Sequence, residues 1–361
     1  INWITFDMAA GEVANFNQPS VNAVTLNRIT ADMNGTQIAG QINANGGVWV
    51  VDPNGVFIQN GASINVGAMF VAAAMNITDA DFLAGRMNFT DADGVGIVAN
   101  EGQITAGARA ALLGGAVYNA GSINAAQVTL AAGNTIVLDN NVGGGTITLS
   151  IDPEPEPTPN TFGLDKVGDV INRGLISVLG DSGGEIIMQG GNVGQFGTLN
   201  ADGSVGDGGR IALFADNAVA LSADSVTTAN AGLIGDGGVI EIVGENFLRL
   251  ATGARVEARG GSEAGDGGFV ETSGKRGFEI GATPDVGADN GKAGTWLIDP
   301  DNITIVAGNT YVNIPNGSPF SSTGADAQLG VDLIVNALTG GATVDVTTGT
   351  SSDQEGNITL S

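Results

Sequence analysis

Cysteine and histidine are both absent from this 361-residue chain. Without cysteine there is no disulfide framework. The same absence suits a secreted bacterial protein that must stay unfolded until it has crossed an outer membrane. Without histidine the commonest general base and the commonest transition-metal ligand are missing. Basic residues are scarce: 12 Lys and Arg stand against 38 Asp and Glu, a formal charge of −26. Such a surface repels phosphate, which argues against nucleic-acid partners and against anionic membrane surfaces. Long apolar runs are also missing. The longest, residues 66–75, is interrupted by Gly67, far short of a membrane-spanning helix. No leader segment is visible. The chain opens inside the strand-like string Ile1-Asn2-Trp3-Ile4, so further sequence is expected upstream.

Glycine is plentiful at 59 residues but has no three-residue period, and proline is only 10, which excludes collagen. Hydrophobic residues make up 42%, too many for a disordered chain. The organising stretch is residues 48–66, VWVVDPNGVFIQNGASINV. It alternates short apolar runs with turns. Asp52-Pro53-Asn54-Gly55 fits a type I turn position by position: an Asx acceptor, Pro with φ preset, Asn, then Gly. Asn60-Gly61 is a second turn signal. Strand, corner, strand, corner within one short segment reads as one rung of a β-solenoid.

The same grammar recurs along the chain. Trp3, Phe6, Val13 and Phe16 are spaced for short strands around Ala10-Gly11, and residues 21–29 read as one alternating strand. Residues 75–97 break the rhythm and read as an excursion. Thr78 is placed to N-cap a short helix over 79–84 with Gly85 as its stop, and Asp93-Gly94 marks a hairpin turn. An Asn-x-Gly-x-Ile pattern occupies residues 100–104, 119–123 and 172–176. Its asparagines, aligned in successive rungs, would form an amide ladder. Residues 152–160, DPEPEPTPN, form either a loop on one continuous solenoid or a linker between two blocks; the loop is favoured, because the pattern crosses it. Further on, a double glycine precedes a short strand at 183, 208, 237 and 267, at intervals of 25, 29 and 30 residues. Three of these are Gly-Asp-Gly-Gly. Residues 294–302 echo residues 48–55 in the order aromatic, aliphatic, Asp-Pro. Residues 326–337 suit a helix or a strand, and residues 356–360 read as an unfinished rung, so the solenoid is expected to continue.

Several strings taken together resemble one family: Ile1-Asn2-Trp3 with Phe6, VTLNRI at 24–29, Gly40-Gln41-Ile42, VVDPNGV at 50–56, GASINVG at 61–67, and DADFLAG at 79–85 with Phe89. In this order they are similar to the N-terminal secretion domain of filamentous haemagglutinin-type exoproteins of two-partner secretion systems. Residues 162–361 resemble, more loosely, the Gly-rich repeats of large adhesins of that group. The resemblance implies an all-β fold, a right-handed parallel β-helix with the excursion near 75–97. It also implies export through a partner outer-membrane transporter, and location outside a Gram-negative bacterium, secreted or on its surface. The family's Asn-Pro-Asn-Gly motif falls on Asp52, Pro53, Asn54 and Gly55, with Asp in place of the first Asn. Asn27 and Arg28, within VTLNRI, are carried over as a secondary motif.

The division expected is a secretion-type block over 1–150, the Pro-rich loop or linker over 151–161, and a Gly-rich repeat block over 162–361. The bland reading of each motif is weighed beside the functional one. The 52–55 turn is a corner on physical grounds and a partner-recognition element by resemblance. The Gly-Asp-Gly-Gly corners lack the nine-residue period of calcium-binding β-rolls, so plain turns are favoured over metal sites. Asp79, Asp81, Asp91 and Asp93 read as a solvated loop. Trp3, Trp49 and Trp296 read as core rather than sugar-stacking residues. Arg249, Arg255, Arg259, Lys275 and Arg276 are the nearest approach to a basic cluster. No catalytic residue, cofactor or metal is expected. The leading expectation is a non-catalytic adhesin-like exoprotein that contacts a host or cell-surface receptor. A structural filament built by self-association is the first alternative, and a polysaccharide-active enzyme using paired carboxylates the second.

Overall fold

A computed structural model describes residues 1–90, 96–138, 147–150 as backbone, 168–178, 180–309, 320, 327–349 and 355–361. The Asp93-Gly94 turn, Asp91, and the Pro-rich stretch over 152–160 lie outside the described residues. The chain forms two compact units, Ile1–Ser177 with Ile187–Gly191, and Val178–Ile186 with Asn192–Ser361.

The first unit is built from stacked three-sided rungs whose strands pair in parallel. One side runs through Asn2–Trp3, Val24–Ile29, Gly47–Val51, Met69–Ala73, Arg109–Gly114 and Gln127–Ala132. The second runs through Thr36–Ile38, Val56–Ile58, Ile97–Asn100, Ala116–Asn119 and Asp169–Asn172. The third runs through Val13–Phe16, Gln41–Ala44, Ser63–Val66, Gln103–Ala106, Ser122–Asn124 and Leu175–Ser177. This is the parallel β-helix that the turn grammar predicts. In-register pairing puts like residues in columns. Ile42, Ile64, Ile104, Ile123 and Ile176 form one column, each no more than 1% exposed. Each such burial contributes about 1.5–3 kcal/mol.

The Asn-x-Gly-x-Ile pattern acquires a physical meaning here. Its Ile supplies that column. Its Asn forms the expected ladder: Asn100 Nδ2 donates to Asn119 Oδ1 and Asn119 Nδ2 to Asn172 Oδ1, both at 2.7 Å and fully buried. The glycines between them stack at the corner, where a Cβ on Gly121 would strike the carbonyl of Gly102 and one on Gly174 that of Gly121.

Residues 21–29 do not form one strand. Ala23 N–H donates to the carbonyl of Ser20, closing a turn, and the strand starts at Val24. The excursion contains the short helix Asp79–Leu83, capped by the Thr78 hydroxyl accepting from Asp81 N–H and followed by Gly85 at φ +69°. The strand Met87–Thr90 pairs antiparallel with Thr135–Leu138. Trp49 is buried, with Phe82 of the helix edge-on at 5.2 Å. Trp3 is only half-buried, and its indole N–H donates to Asn27.

The second unit repeats the parallel scheme. Arg210–Leu221, Val239–Gly244, Phe269–Gly274, Thr295–Ile298 and Thr343–Val346 stack along one side. Thr198–Asn200, Val226–Thr228 and Arg255–Glu257 stack along another. The double glycines close one edge of each rung. Gly209 N–H donates to Ala201, Gly238 to Ala229 and Gly268 to Ala258, at 2.7–2.8 Å, and the single Gly294 makes the same bond to Val286 at 2.7 Å. The rungs also stack too closely here for a Cβ: on Gly238 it would collide with the carbonyl of Gly209 in the neighbouring rung. Trp296 is fully buried, with its indole N–H on the Thr272 hydroxyl. The ambiguous stretch resolves into both alternatives in sequence: the strand Ala327–Gly330 runs straight into the helix Val331–Thr339, which buries Leu333 and Ala337.

Candidate functional site

The corner between the first and second sides of the first unit carries the 52–55 turn. Gly55 N–H donates to the Asp52 carbonyl at 3.0 Å, closing the β-turn, and Asn54 N–H donates to Asp52 Oδ1 at 3.0 Å, closing the Asx ring. Gly55 sits at φ +131°, the left-handed range that a side chain resists. The ring of Phe57 lies against it, so that a Cβ there would approach the ring within 2.7 Å.

The turn is one layer of a stack. One rung below, Asp32-Met33-Asn34-Gly35 repeats the pattern. Asn34 N–H donates to Asp32 Oδ1 at 3.0 Å, and Gly35 sits at φ +73°. The layers are stitched together: Asn54 Nδ2 donates to the Asp32 carbonyl at 2.7 Å, Thr36 N–H to the Gly55 carbonyl at 3.0 Å, and the Thr36 hydroxyl to Asp52 Oδ2 at 2.9 Å. One rung above, Asp52 N–H donates to the carbonyl of Ala73 at 2.9 Å. In that rung the corner between Met69–Ala73 and Ile97–Asn100 is where the excursion is inserted. The stack therefore presents Met33, 89% exposed, and Asn54 to solvent, while both aspartates point inward.

Asp52 is 0% exposed and Asp32 6%, and Asp32 Oδ2 has no hydrogen-bond partner. Burial pushes the Asp52 carboxyl above its ordinary range. The bonds from Asn54 and Thr36 oppose that rise, and the nearby Asp32 charge adds to it. Chemically it is a shaped surface over a buried polar interior.

Asn27 and Arg28 do not join this turn. Asn27 is buried and ties three rungs together, accepting from Trp3 Nε1 at 3.0 Å and donating to the Trp49 carbonyl at 3.2 Å. Arg28 reaches the excursion, with bonds to Asp79 Oδ1 at 2.8 Å and the Ile77 carbonyl at 2.9 Å. Asp81 is held by Thr78 and Arg86, which lower its carboxyl below the ordinary range. The Gly-Asp-Gly-Gly carboxylates accept backbone N–H groups from the next rung: Asp207 from Asp236, Asp236 from Asp266, Asp266 from Lys292, at 2.7–2.8 Å. They act as rung-to-rung staples. Four members of the basic cluster are matched by carboxylates: Arg249 with Glu279, Arg255 with Glu257, Arg259 with Asp285 and Asp289, and Lys275 with Asp299. Among the described residues no helix is long and apolar enough to cross a membrane.

Sequence reasoning missed Asp32, Asn34, Gly35 and Thr36. The signal was an Asp-x-Asn-Gly string 20 residues before the one at 52, hidden because Met33 replaces the proline.

Residues 1–234 match the family model described as the TPS secretion domain. The chain belongs to that family. A TPS secretion domain is the segment through which a two-partner secretion exoprotein leaves a Gram-negative cell by way of its partner transporter. The fold agrees with a solved relative: the HMW1 secretion domain from Haemophilus influenzae superposes with a TM-score of 0.71 at 22% identity, covering 100% of this chain and 92% of that one. Two heme/hemopexin-binding proteins of Haemophilus influenzae are 44% identical over 70 residues and 42% identical over 69 residues. Each match covers 19% of this TPS chain, and only 8% and 7% of those relatives.

Proposed function

We propose that the stacked 32–35 and 52–55 turns are the part of this secretion domain that its outer-membrane partner reads, and that residues 1–150 form the block directing export. The supporting observation is the division of labour within the stack. Its aspartates and glycines are committed to the interior, whereas Met33 and Asn54 face solvent at a corner rigidified by bonds to the rungs on either side. The rest of the chain, through the Gly-rich repeats, serves a non-catalytic, adhesin-like exoprotein that contacts another surface. Each parallel rung leaves an open edge that templates the next. Folding outside the cell would proceed rung by rung and help draw the chain out.

The test is co-expression with the partner transporter. Replacing Asn54 and Gly55 together is expected to cut the amount in the medium while total synthesis is unchanged. A paired Asn54→Ala variant keeps the turn glycine but loses the Nδ2 bond to the Asp32 carbonyl, so its thermal melting is measured beside its export to separate recognition from folding. Full export of both variants would remove this corner from partner recognition. The filament reading is distinguished by negative-stain imaging, where end-to-end polymers of purified protein would favour it.

A further inference from the structure

The corner between the second and third sides of the first unit is not the same length in every rung. Strand ends leave two residues there at 39–40, 101–102, 120–121 and 173–174, but four at 59–62. Ala62 N–H closes this longer turn on the Gln59 carbonyl at 3.0 Å. Its two central residues, Asn60 and Gly61, exceed what the stack needs and project from it. Both are exposed, and neither makes a hydrogen bond to any described residue. Gly61 sits at φ +89° with open space where a side chain would be. The turn over 9–12 is equally long, with Glu12 N–H on the Ala9 carbonyl, but its centre is Ala10-Gly11 and carries no amide.

An asparagine amide is open to attack by the next backbone nitrogen when that residue is glycine, which has no side chain in the way. The amide must swing over its own backbone and the glycine N–H must be free, so hydrogen bonds and packing at either residue oppose the step. Asn-Gly pairs start at 34, 45, 54, 60, 290 and 316, the last outside the described residues. Asn45 is held at both amide atoms by the Gln18 backbone, and Gly46 N–H donates to Gln18 Oε1. Asn54 Nδ2 is on the Asp32 carbonyl and Gly55 N–H on the Asp52 carbonyl. Asn34 is exposed, but Gly35 is buried, with the Phe57 ring and the Gly55 carbonyl each 2.8 Å from where its Cβ would be. Asn290 Nδ2 donates to the Ser262 carbonyl, and Gly291 is pressed on the Gly265 carbonyl. At Asn60-Gly61 none of these restraints exists among the described residues.

We propose that Asn60-Gly61 is a site of spontaneous deamidation in the folded protein. The Gly61 backbone nitrogen attacks Asn60 Cγ; the N–Cγ bond forms, the Cγ–Nδ2 bond breaks, and the Gly61 proton leaves with the amide as ammonia. The product is a five-membered succinimide. Water adds to one of its two ring carbonyls and opens it, giving aspartate or, with the backbone rerouted through Cγ, isoaspartate at position 60. Either product adds one negative charge to this corner. The extra methylene of isoaspartate falls in a turn that no neighbouring rung contacts, so the stack keeps its register. The site is independent of the export reading, because it lies on a different corner from the 32–35 and 52–55 turns.

The test is incubation of the purified full chain in mildly alkaline buffer, with peptide mass mapping and enzymatic isoaspartate methylation over time. The same chain unfolded in urea is the control, and Asn60→Gln is carried beside it. In the folded chain Asn60 is expected to react about tenfold or more faster than Asn45 and Asn54, whose pairs must first break two or three hydrogen bonds. In urea the three should react at similar rates. Asn60→Gln should show no early isoaspartate, and the modified wild type should melt at the temperature of the fresh protein. An intact Asn60 over a period in which the unfolded chain deamidates overturns the proposal, as does equal or faster reaction at Asn45 or Asn54 in the folded chain. A fall in melting temperature on modification would show that this turn supports the stack, and would also overturn it.

Discussion

The buried carboxylate at Asp52 is the sharpest place to perturb this protein. The family motif carries an asparagine at this position. Here an acid sits with 0% exposure, one oxygen on Asn54 N–H and the other on the Thr36 hydroxyl, with Asp32 close below. Burial raises the carboxyl above its ordinary value of 3.8. A folded-state pKa above the unfolded one means that the protonated acid favours folding. That contribution is complete below the ordinary carboxylate range and is lost as pH rises through the folded value. Asp52→Asn imitates the protonated acid: its carbonyl keeps the Asn54 bond, and its amide donates to the Thr36 oxygen. At pH 7 the variant should be the more stable protein, because it carries no buried charge there. Thermal melts of both proteins by circular dichroism, from neutral pH downward, should show the gap closing as Asp52 takes up its proton. A gap that stays constant with pH, or a variant less stable at pH 7, would show that the buried charge is not the destabilising element.

Two further substitutions probe the stacking. Asn119→Ala breaks the middle of the amide ladder and leaves the Asn100 amide without its acceptor; a loss of about 2–4 kcal/mol is expected by urea titration, since orphaned buried polar groups cost ~1–3 kcal/mol each. An unchanged midpoint would mean that the ladder is replaceable by water. Gly238→Ala drives a methyl into the Gly209 carbonyl, and should cost about 3 kcal/mol or more. Wild-type stability in that variant would contradict the close stacking of the rungs at this corner.

The repeating parts of the fold were legible because they obey local rules. The 52–55 turn, the Thr78 cap, the Gly85 stop and the Asn-x-Gly-x-Ile ladder each depend on residues within one rung or at one repeat interval. What escaped were relations that cross rungs without an echo in sequence. Arg28 reaches Asp79, 51 residues ahead, with no periodicity to announce it. The lower turn layer carries Met33 where a proline would have flagged it. The stretch over 326–337 was ambiguous because an alternating strand flows into a helix at Gly330, so both periods are present in one short window. The Gly-Asp-Gly-Gly corners showed their turns plainly. Their carboxylates act on the following rung, a contact that only stacking defines.

The paired glycines of the second unit act as a gauge. The pairs at 208, 237 and 267 clamp their rungs at one width, bonded across to Ala201, Ala229 and Ala258, while the segment between clamps is free to differ in length, as the spacings of 25, 29 and 30 residues show. A protein made this way lengthens or shortens by whole repeats. Deleting one clamp-to-clamp segment presents the next rung with the same edge it already fits, whereas a partial deletion leaves a mismatched step.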